Sequence, residues 1–292
     1  MHFEKLGVWF STDRLSAGSL RELAQGVEQL GYGHLWYPES QLWESLSLGA
    51  FLLNSTRTLG VGSSIANIYA RDAVTARNGL RVLSAISGNR YVLGLGVSHR
   101  PLVEGLRGHE YEKPIPAMRR YLEGIGARDT PEARAELPVM IAALRPRMLA
   151  LAASHARGAL PYLVTPEHTA RARAALGANG RLVVEQKVCL NTNAAEARAY
   201  GRAELTRYMA MPNYRESWKA LGFSEEEISG DGSDRFVDAM VAWGDLDAIR
   251  ERIAAHHAAG ADQVAIQVIH AKGERNEIDW ATLEALAPTR AD

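Results

Sequence analysis

The sequence predicts an α/β chain closed into a single (β/α)8 barrel, the TIM-barrel architecture, and three observations point there. Short, nearly continuous apolar runs alternate with longer segments of helical period along the whole chain. Eight such runs occur, and runs of this kind read as strands buried on both faces, as in a parallel sheet covered by helices. The 292 residues divide into about 36 per strand–helix unit, close to the ~250 residues typical of a closed eight-stranded barrel.

In chain order, residues 6–10 form the first strand. Ser19 reads as the N-cap of a helix whose apolar residues at 20, 23, 24, 27 and 30 share one face, and Gly31 reads as its stop. Residues 34–37 are the second strand and 43–53 a helix. Residues 59–68, rich in β-branched and small side chains, are the third strand. Asp72 caps a long helix that runs to Ser87. Residues 90–97 are the fourth strand and 138–142 the fifth, with a helix near 147–156 after it. Residues 159–164 are the sixth strand, and the next helix starts at Pro166, whose missing N–H costs nothing in a first turn. Residues 181–190 are the seventh strand, followed by a helix over 194–211. A helix over 246–259 precedes the last strand, 263–269. Two stretches, 99–116 and 212–234, break the rhythm and read as irregular insertions. Long loops inside compact domains are usually lids or binding segments. No boundary divides the chain, so residues 1–292 read as one domain.

Composition excludes several classes. Lys+Arg and Asp+Glu total 33 and 34, a net charge of -1, which argues against a dedicated nucleic-acid binder. The single cysteine, Cys189, allows no intramolecular disulfide and no cysteine-built zinc site. The first apolar run is too short for a secretory signal, and none is long enough to span a bilayer. A cytoplasmic protein with no membrane partner is expected.

Barrel enzymes carry their chemistry at the C-terminal ends of the strands. The polar residues just after each run are therefore the candidates: Ser11 and Thr12, Glu39 and Ser40, Ser63 to Asn67, Ser98 and His99, Leu144 and Arg145, Thr165, Asn191 and Thr192, and His270. Glu39, behind Trp36-Tyr37-Pro38, is a carboxylate in an aromatic collar, suited to acid/base work or cofactor contact. His99 closes the fourth strand and is the candidate for proton transfer. Ser63 and Ser64 make a small, polar strand end that a flat ring can approach. Gly94-x-Gly96 is not a dinucleotide fingerprint, because His99 stands where the third glycine belongs. Its glycines read instead as relief of crowding near a ligand. His256 and His257 read as a helix face, and no metal-binding pattern is present.

Two segments resemble a known family: Gly62-Ser63-Ser64-Ile65-Ala66-Asn67-Ile68-Tyr69-Ala70-Arg71-Asp72 and Gly88-Asn89-Arg90-Tyr91-Val92-Leu93-Gly94-Leu95-Gly96-Val97-Ser98-His99. They are similar to the bacterial luciferase-like superfamily, in its coenzyme F420-dependent oxidoreductase branch. Residues 159–169, Pro212-Asn213-Tyr214 and Val241-Ala242-Trp243-Gly244-Asp245 carry the same resemblance through the second half.

The resemblance implies a luciferase-like barrel binding F420 at its mouth, with FMN as the alternative. It implies a non-prolyl cis peptide at Ser64–Ile65 and a ring resting on Ser64, Ile65, Ala66 and Asn67, with Ser98, Leu144, Arg145 and Thr165 as further cofactor contacts. His99 and Glu39 fall at positions that carry acids in F420-dependent sugar-phosphate dehydrogenases, while Ser40 replaces their catalytic histidine. Arg145 stands where glycine is usual, so it either grips the cofactor phosphate or obstructs it. Arg157 stands before Gly158, where the family often has Asp. The implied activity is hydride transfer between the deazaflavin and a small organic substrate, in a homodimer. An FMN-dependent monooxygenase and a non-catalytic barrel are the rival readings. Oxygen dependence separates the first two, because F420 lacks the N5 through which flavins activate oxygen.

Overall fold

The computed structural model describes residues 3–126, 137–274 and 277–288. Eight parallel strands close a barrel in sequence order: β1 (Leu6–Trp9), β2 (His34–Tyr37), β3 (Gly60–Ser63), β5 (Tyr91–Gly96), β6 (Val139–Ile141), β7 (Gly158–Ala159), β8 (Arg181–Cys189) and β10 (Gln263–Val268). Closure is made twice over at the seam, where β10 pairs β1 from Leu6↔Val264 and β8 from Gln263↔Val183. β4 (Ala66–Asn67) continues the third stave after a break and pairs β5. β7 pairs β8 only at Arg181 and Leu182, and β9 (Val241–Trp243) takes the same edge of β8 further up, at Lys187 to Cys189. No helix among the described residues is long and apolar enough to cross a membrane.

Alternation along the strands decides which side chains fill the barrel. Leu35, Leu93, Leu95, Ile141 and Val184 face the helices in the main core. Trp9, Trp36, Val92, Met140, Leu160, Val183 and Ala265 face inward and pack together. The interior is a packed core, as this architecture requires. Large and small residues sit opposite each other: a Cβ on Gly62 would lie 2.3 Å from the Trp36 ring. Gly94 and Gly96 answer a similar demand. A Cβ on Gly94 would meet the Ser63 carbonyl oxygen at 2.0 Å, and one on Gly96 would meet Ile65 at 2.4 Å. Ser63 and Ile65, on the neighbouring stave, supply this crowding.

Several expected elements shift for local reasons. The first helix, Ala17–Gln29, is capped by Ser16, whose side chain accepts from the Ser19 N–H, so Ser19 is inside the helix and not its cap. The second helix is Ser45–Asn54, with the Glu44 carboxylate accepting from Leu46 and Ser47 at its start. Asp72 caps Ala73–Ser87, and Thr165 caps Pro166–Leu176. The stretch read as irregular over 99–116 contains a π-helical turn, Pro101–Leu106, and the start of the helix Pro114–Ile125. The stretch 212–234 is not irregular throughout: Pro212–Ala220 is a helix, and Asp234–Met240 is another. Pro212 opens the first, and Tyr214, Ser217 and Trp218 give it a buried face. His256 is fully buried on the inner face of the helix Leu246–Ala258, bonded to Thr169 Oγ1 (2.8 Å) and Gln186 Oε1 (2.9 Å).

Candidate active site

The third stave is broken at Ser64 and Ile65, and that break builds the centre of the barrel mouth. The Ser64–Ile65 peptide is cis. Neighbouring staves bond the backbone around it. Ser64 N–H donates to the Tyr37 carbonyl (2.6 Å), and the Trp9 indole N–H donates to the Ser64 carbonyl (3.1 Å). Ser63 Oγ donates to the Gly94 carbonyl (2.8 Å) and accepts from the Gly94 N–H (3.0 Å). The bulge is thus held from β1, β2 and β5 at once.

Glu39 is the main clamp. Its N–H donates to the Ile65 carbonyl (3.1 Å) and its Oε2 accepts from Asn67 N–H (2.7 Å), so it grips the bulge on both sides. Oε1 accepts from Ser45 N–H (3.3 Å). Arg71 completes the arrangement. Its guanidinium meets both Glu39 oxygens, with NH1 3.1 Å from Oε2, and NH2 also reaches Glu44 at 2.7 Å. The side chains of Arg71 and Glu39 are 6% and 3% exposed, so this is a buried, bidentate pair. Both carboxylate oxygens are occupied. These contacts tie the carboxylate to the bulge and to Arg71. Asn67, also buried, uses Oδ1 to accept from the Tyr69 N–H (2.9 Å).

The next strand end places Ser98 and His99. Ser98 adopts a left-handed backbone, φ 56°, which turns the chain out of β5. Its carbonyl accepts from the Tyr111 hydroxyl (3.4 Å). The His99 carbonyl receives the Leu102 and Val103 N–H groups and so starts the π-helical turn. The His99 ring lies 6.0 Å from the Tyr214 ring, contributed by the helix Pro212–Ala220. Burial pushes its pKa below the ordinary histidine value, so the imidazole is neutral at pH 7.

Leu144, Arg145 and Thr165 lie further around the same rim, since β6 follows β5 and the Leu160 N–H donates to the Ile141 carbonyl. Arg145 is the N-cap of the helix Pro146–His155 and makes no capping bond with its side chain, which is exposed. The Leu144 carbonyl accepts from His168 Nε2 (2.6 Å). That bond fixes the proton on Nε2 and leaves the buried Nδ1 without a partner among the described residues. Thr165 Oγ1 accepts from the His168 N–H (3.4 Å) and its carbonyl from the Thr169 N–H (3.0 Å). Its hydroxyl caps the helix Pro166–Leu176 as an acceptor.

Inside the mouth lies a polar group that the sequence reading passed over: Glu185 and Lys187 on β8, Tyr162 after β7, Gln267 on β10 and Tyr208 on the helix Ala194–Met209. The signal was present, because two charges two residues apart share one face of a strand, here in a segment that begins with the apolar run Leu182 to Val184. Off the mouth, ligand atoms of His270, Glu274 and Glu277 lie within 4.8 Å of one another, mostly exposed.

Comparison with known proteins accords with this architecture. Residues 2–263 match the family model described as luciferase-like monooxygenase. A provisionally named coenzyme F420-dependent oxidoreductase of Mycobacterium tuberculosis is 24% identical over 90% of this chain and 93% of its own length. Among solved structures, the coenzyme F420-dependent tetrahydromethanopterin reductase of Methanopyrus kandleri superposes with a TM-score of 0.71 at 17% identity, covering 97% of this chain and 98% of its own. The oxygenating constituent of 3,6-diketocamphane monooxygenase from Pseudomonas putida, solved with FMN, gives 0.68 at 16% identity, covering 97% of each chain. At these identities the two structures share the fold.

Proposed function

The chain belongs to the luciferase-like monooxygenase family, and from that premise we propose that it is a coenzyme F420-dependent oxidoreductase acting on a small organic substrate. The observation that carries the reading is the full-length similarity to the M. tuberculosis protein named for F420. The deazaflavin, when bound, supplies hydride chemistry.

The residues present fit such a group at both ends. The bulge offers the partly exposed Ser64 and Ile65 at the mouth, and their backbone is immobilised by Trp9, Tyr37 and Glu39. A flat ring needs such a pre-set support, because ordering it on binding would cost affinity. At the other end, the Arg145 side chain has no partner among the described residues and stands at the start of the helix Pro146–His155. A helix N-terminus with a free guanidinium is a natural seat for a phosphate. Because the Arg145 side chain is exposed, it grips the phosphate in this reading. His99, neutral and half-buried, holds or accepts a proton at the edge of the mouth. Glu39 and Arg71 position the bulge.

The FMN-bound neighbour supports a second reading, an FMN-dependent monooxygenase. Fluorescence titration of the purified protein with F420 and with FMN tests the choice. F420 is expected to bind more tightly; tighter FMN binding overturns the F420 reading, and binding of neither supports a non-catalytic barrel. We also propose a homodimer. Val74, Val82 and Ile86 are 58%, 58% and 62% exposed on one face of the helix Ala73–Ser87 and support it. Light scattering that reports a monomer at micromolar concentration removes this.

A further inference from the structure

The inward side of β8 carries two buried charges. Glu185 is 3% exposed and Lys187 is 0% exposed. Burying such groups is costly, and a barrel that needed only packing would carry aliphatic residues there. Lys187 Nζ donates a hydrogen bond to the Tyr162 hydroxyl at 3.1 Å and lies 3.7 Å from Glu185 Oε1. It also sits over the faces of Tyr162 and Tyr208, at 5.2 and 5.9 Å from their centroids. Glu185 Oε2 accepts from the Leu163 N–H at 3.0 Å and so holds the loop behind Tyr162, while Oε1 has no hydrogen-bond partner among the described residues.

All of this converges on one oxygen. The Tyr162 hydroxyl donates to Gln267 Oε1 at 2.8 Å. Its only hydrogen is then spent, so its 2.8 Å contact with the Tyr208 hydroxyl is donated by Tyr208, which in turn accepts from Arg207 at 2.5 Å. Tyr162 therefore accepts from an ammonium and from a hydroxyl already polarised by a guanidinium. A donor that accepts two bonds, one charge-assisted, donates more strongly itself. Burial holds the Tyr162 pKa well above 10, so the O–H is present at every working pH. Tyr162 is partly exposed, while Lys187, Tyr208 and Gln267 are buried. Its ring lies 5.2 Å from Trp9, the residue that fixes the Ser64 carbonyl.

We propose that Tyr162 is a substrate-binding residue for a carbonyl compound, its hydroxyl donating to the substrate oxygen in the place Gln267 Oε1 now holds, with Lys187 and Tyr208 as positioning residues. A donor aimed at an oxygen on which negative charge develops, with a buried cation behind it, stabilises that charge where water is excluded. The substrate class follows: a ketone, aldehyde or conjugated enone presents such an oxygen, and a saturated hydrocarbon or simple amine does not. This deepens the oxidoreductase reading and rests on it for the chemistry, while the contact itself needs no cofactor.

The test uses the cofactor-free protein with 4-nitrophenol as an oxygen probe whose absorbance reports its ionisation. The wild-type protein is expected to bind it preferentially as the phenolate. Tyr162→Phe should weaken binding ten- to hundred-fold, and Lys187→Met should raise the pH at which the bound probe ionises. Tyr32→Phe should change neither, because Tyr32 is buried outside the barrel interior and bonds the Leu283 carbonyl. Binding only as the neutral phenol, no binding, or equal binding by Tyr162→Phe overturns the proposal. The wild-type spectrum decides the case even if Lys187→Met fails to fold. Failure of the probe with F420 still bound in the separate titration sinks only Tyr162; failure of F420 with the probe still bound sinks only the cofactor reading.

Discussion

Replacing Arg71 with Met tests how the bulge is held. Arg71 is the only cation within ion-pair distance of Glu39 among the described residues, and the carboxylate is 3% exposed. Arg71→Met keeps most of the volume but leaves Glu39 buried and unpaired. Removing one partner of a buried pair costs about 3–5 kcal/mol, most of it the penalty of the stranded charge. Glu39→Gln on the same background removes that charge while its side-chain oxygen still accepts from Asn67 N–H, now at 2.7 Å. The double variant should therefore recover all but about 1–2 kcal/mol, the loss of ordinary hydrogen bonds. Urea unfolding of the wild type, both single variants and the double variant supplies the full cycle. The double variant should also regain ligand binding at the mouth, because Glu39 N–H still holds the Ile65 carbonyl. A loss below about 1 kcal/mol in Arg71→Met, or a double variant no more stable than the single, would refute the clamp.

Other outcomes follow from named contacts. Burial lowers the His256 pKa from 6.5 to about 3, so the unfolded chain binds more protons between those values. This contribution is complete above pH 6.5 and lost as pH falls toward 3, at about 1.4 kcal/mol per unit; urea unfolding at pH 7.5 and 5 should show His256→Gln flattening the dependence by about 2 kcal/mol. Arg145→Ala should weaken F420 binding about ten- to a hundred-fold, most at low salt, whereas tighter binding by Arg145→Gly in the same titration would mean that the side chain obstructs the phosphate. Gly62→Ala should cost about 1–3 kcal/mol in thermal unfolding, because the new Cβ lies 2.3 Å from Trp36. With His99 as a base, the acid limb of the activity profile should fall at a pH below the ordinary histidine value, since burial holds the ring neutral.

The barrel was legible because its code is local. Runs such as Leu93 to Gly96 and Val139 to Ile141 can only be strands buried on both faces, and their count and spacing suffice for closure. Helix ends were legible where one side chain decides them, as at Asp72 and Thr165, and were misplaced where two serines compete, as at Ser16 and Ser19. Strand-end position was enough to place Glu39, Asn67, Ser98, His99 and Arg145 on one rim.

What each does there is settled by contacts from elsewhere in the chain. The Glu39 carboxylate is met by Arg71, 32 residues away in the chain. Gly94 and Gly96 answer to Ser63 and Ile65 on the adjoining stave. The helix Pro212–Ala220 was missed because its signal is one buried face, Tyr214 to Trp218, whose partners Tyr208 and Phe236 lie on two other helices. Lys187 and Tyr162 stand 25 residues apart and meet inside the barrel. By itself the sequence determined the eight staves, most of the helices between them, their closure into a barrel and the end that carries the polar residues, because backbone periodicity and burial on both faces are properties of neighbouring residues. Tertiary structure alone decided which polar group is spent on holding the mouth and which is left to meet a ligand, because a buried charge or hydroxyl takes its role from the partners that closure brings against it.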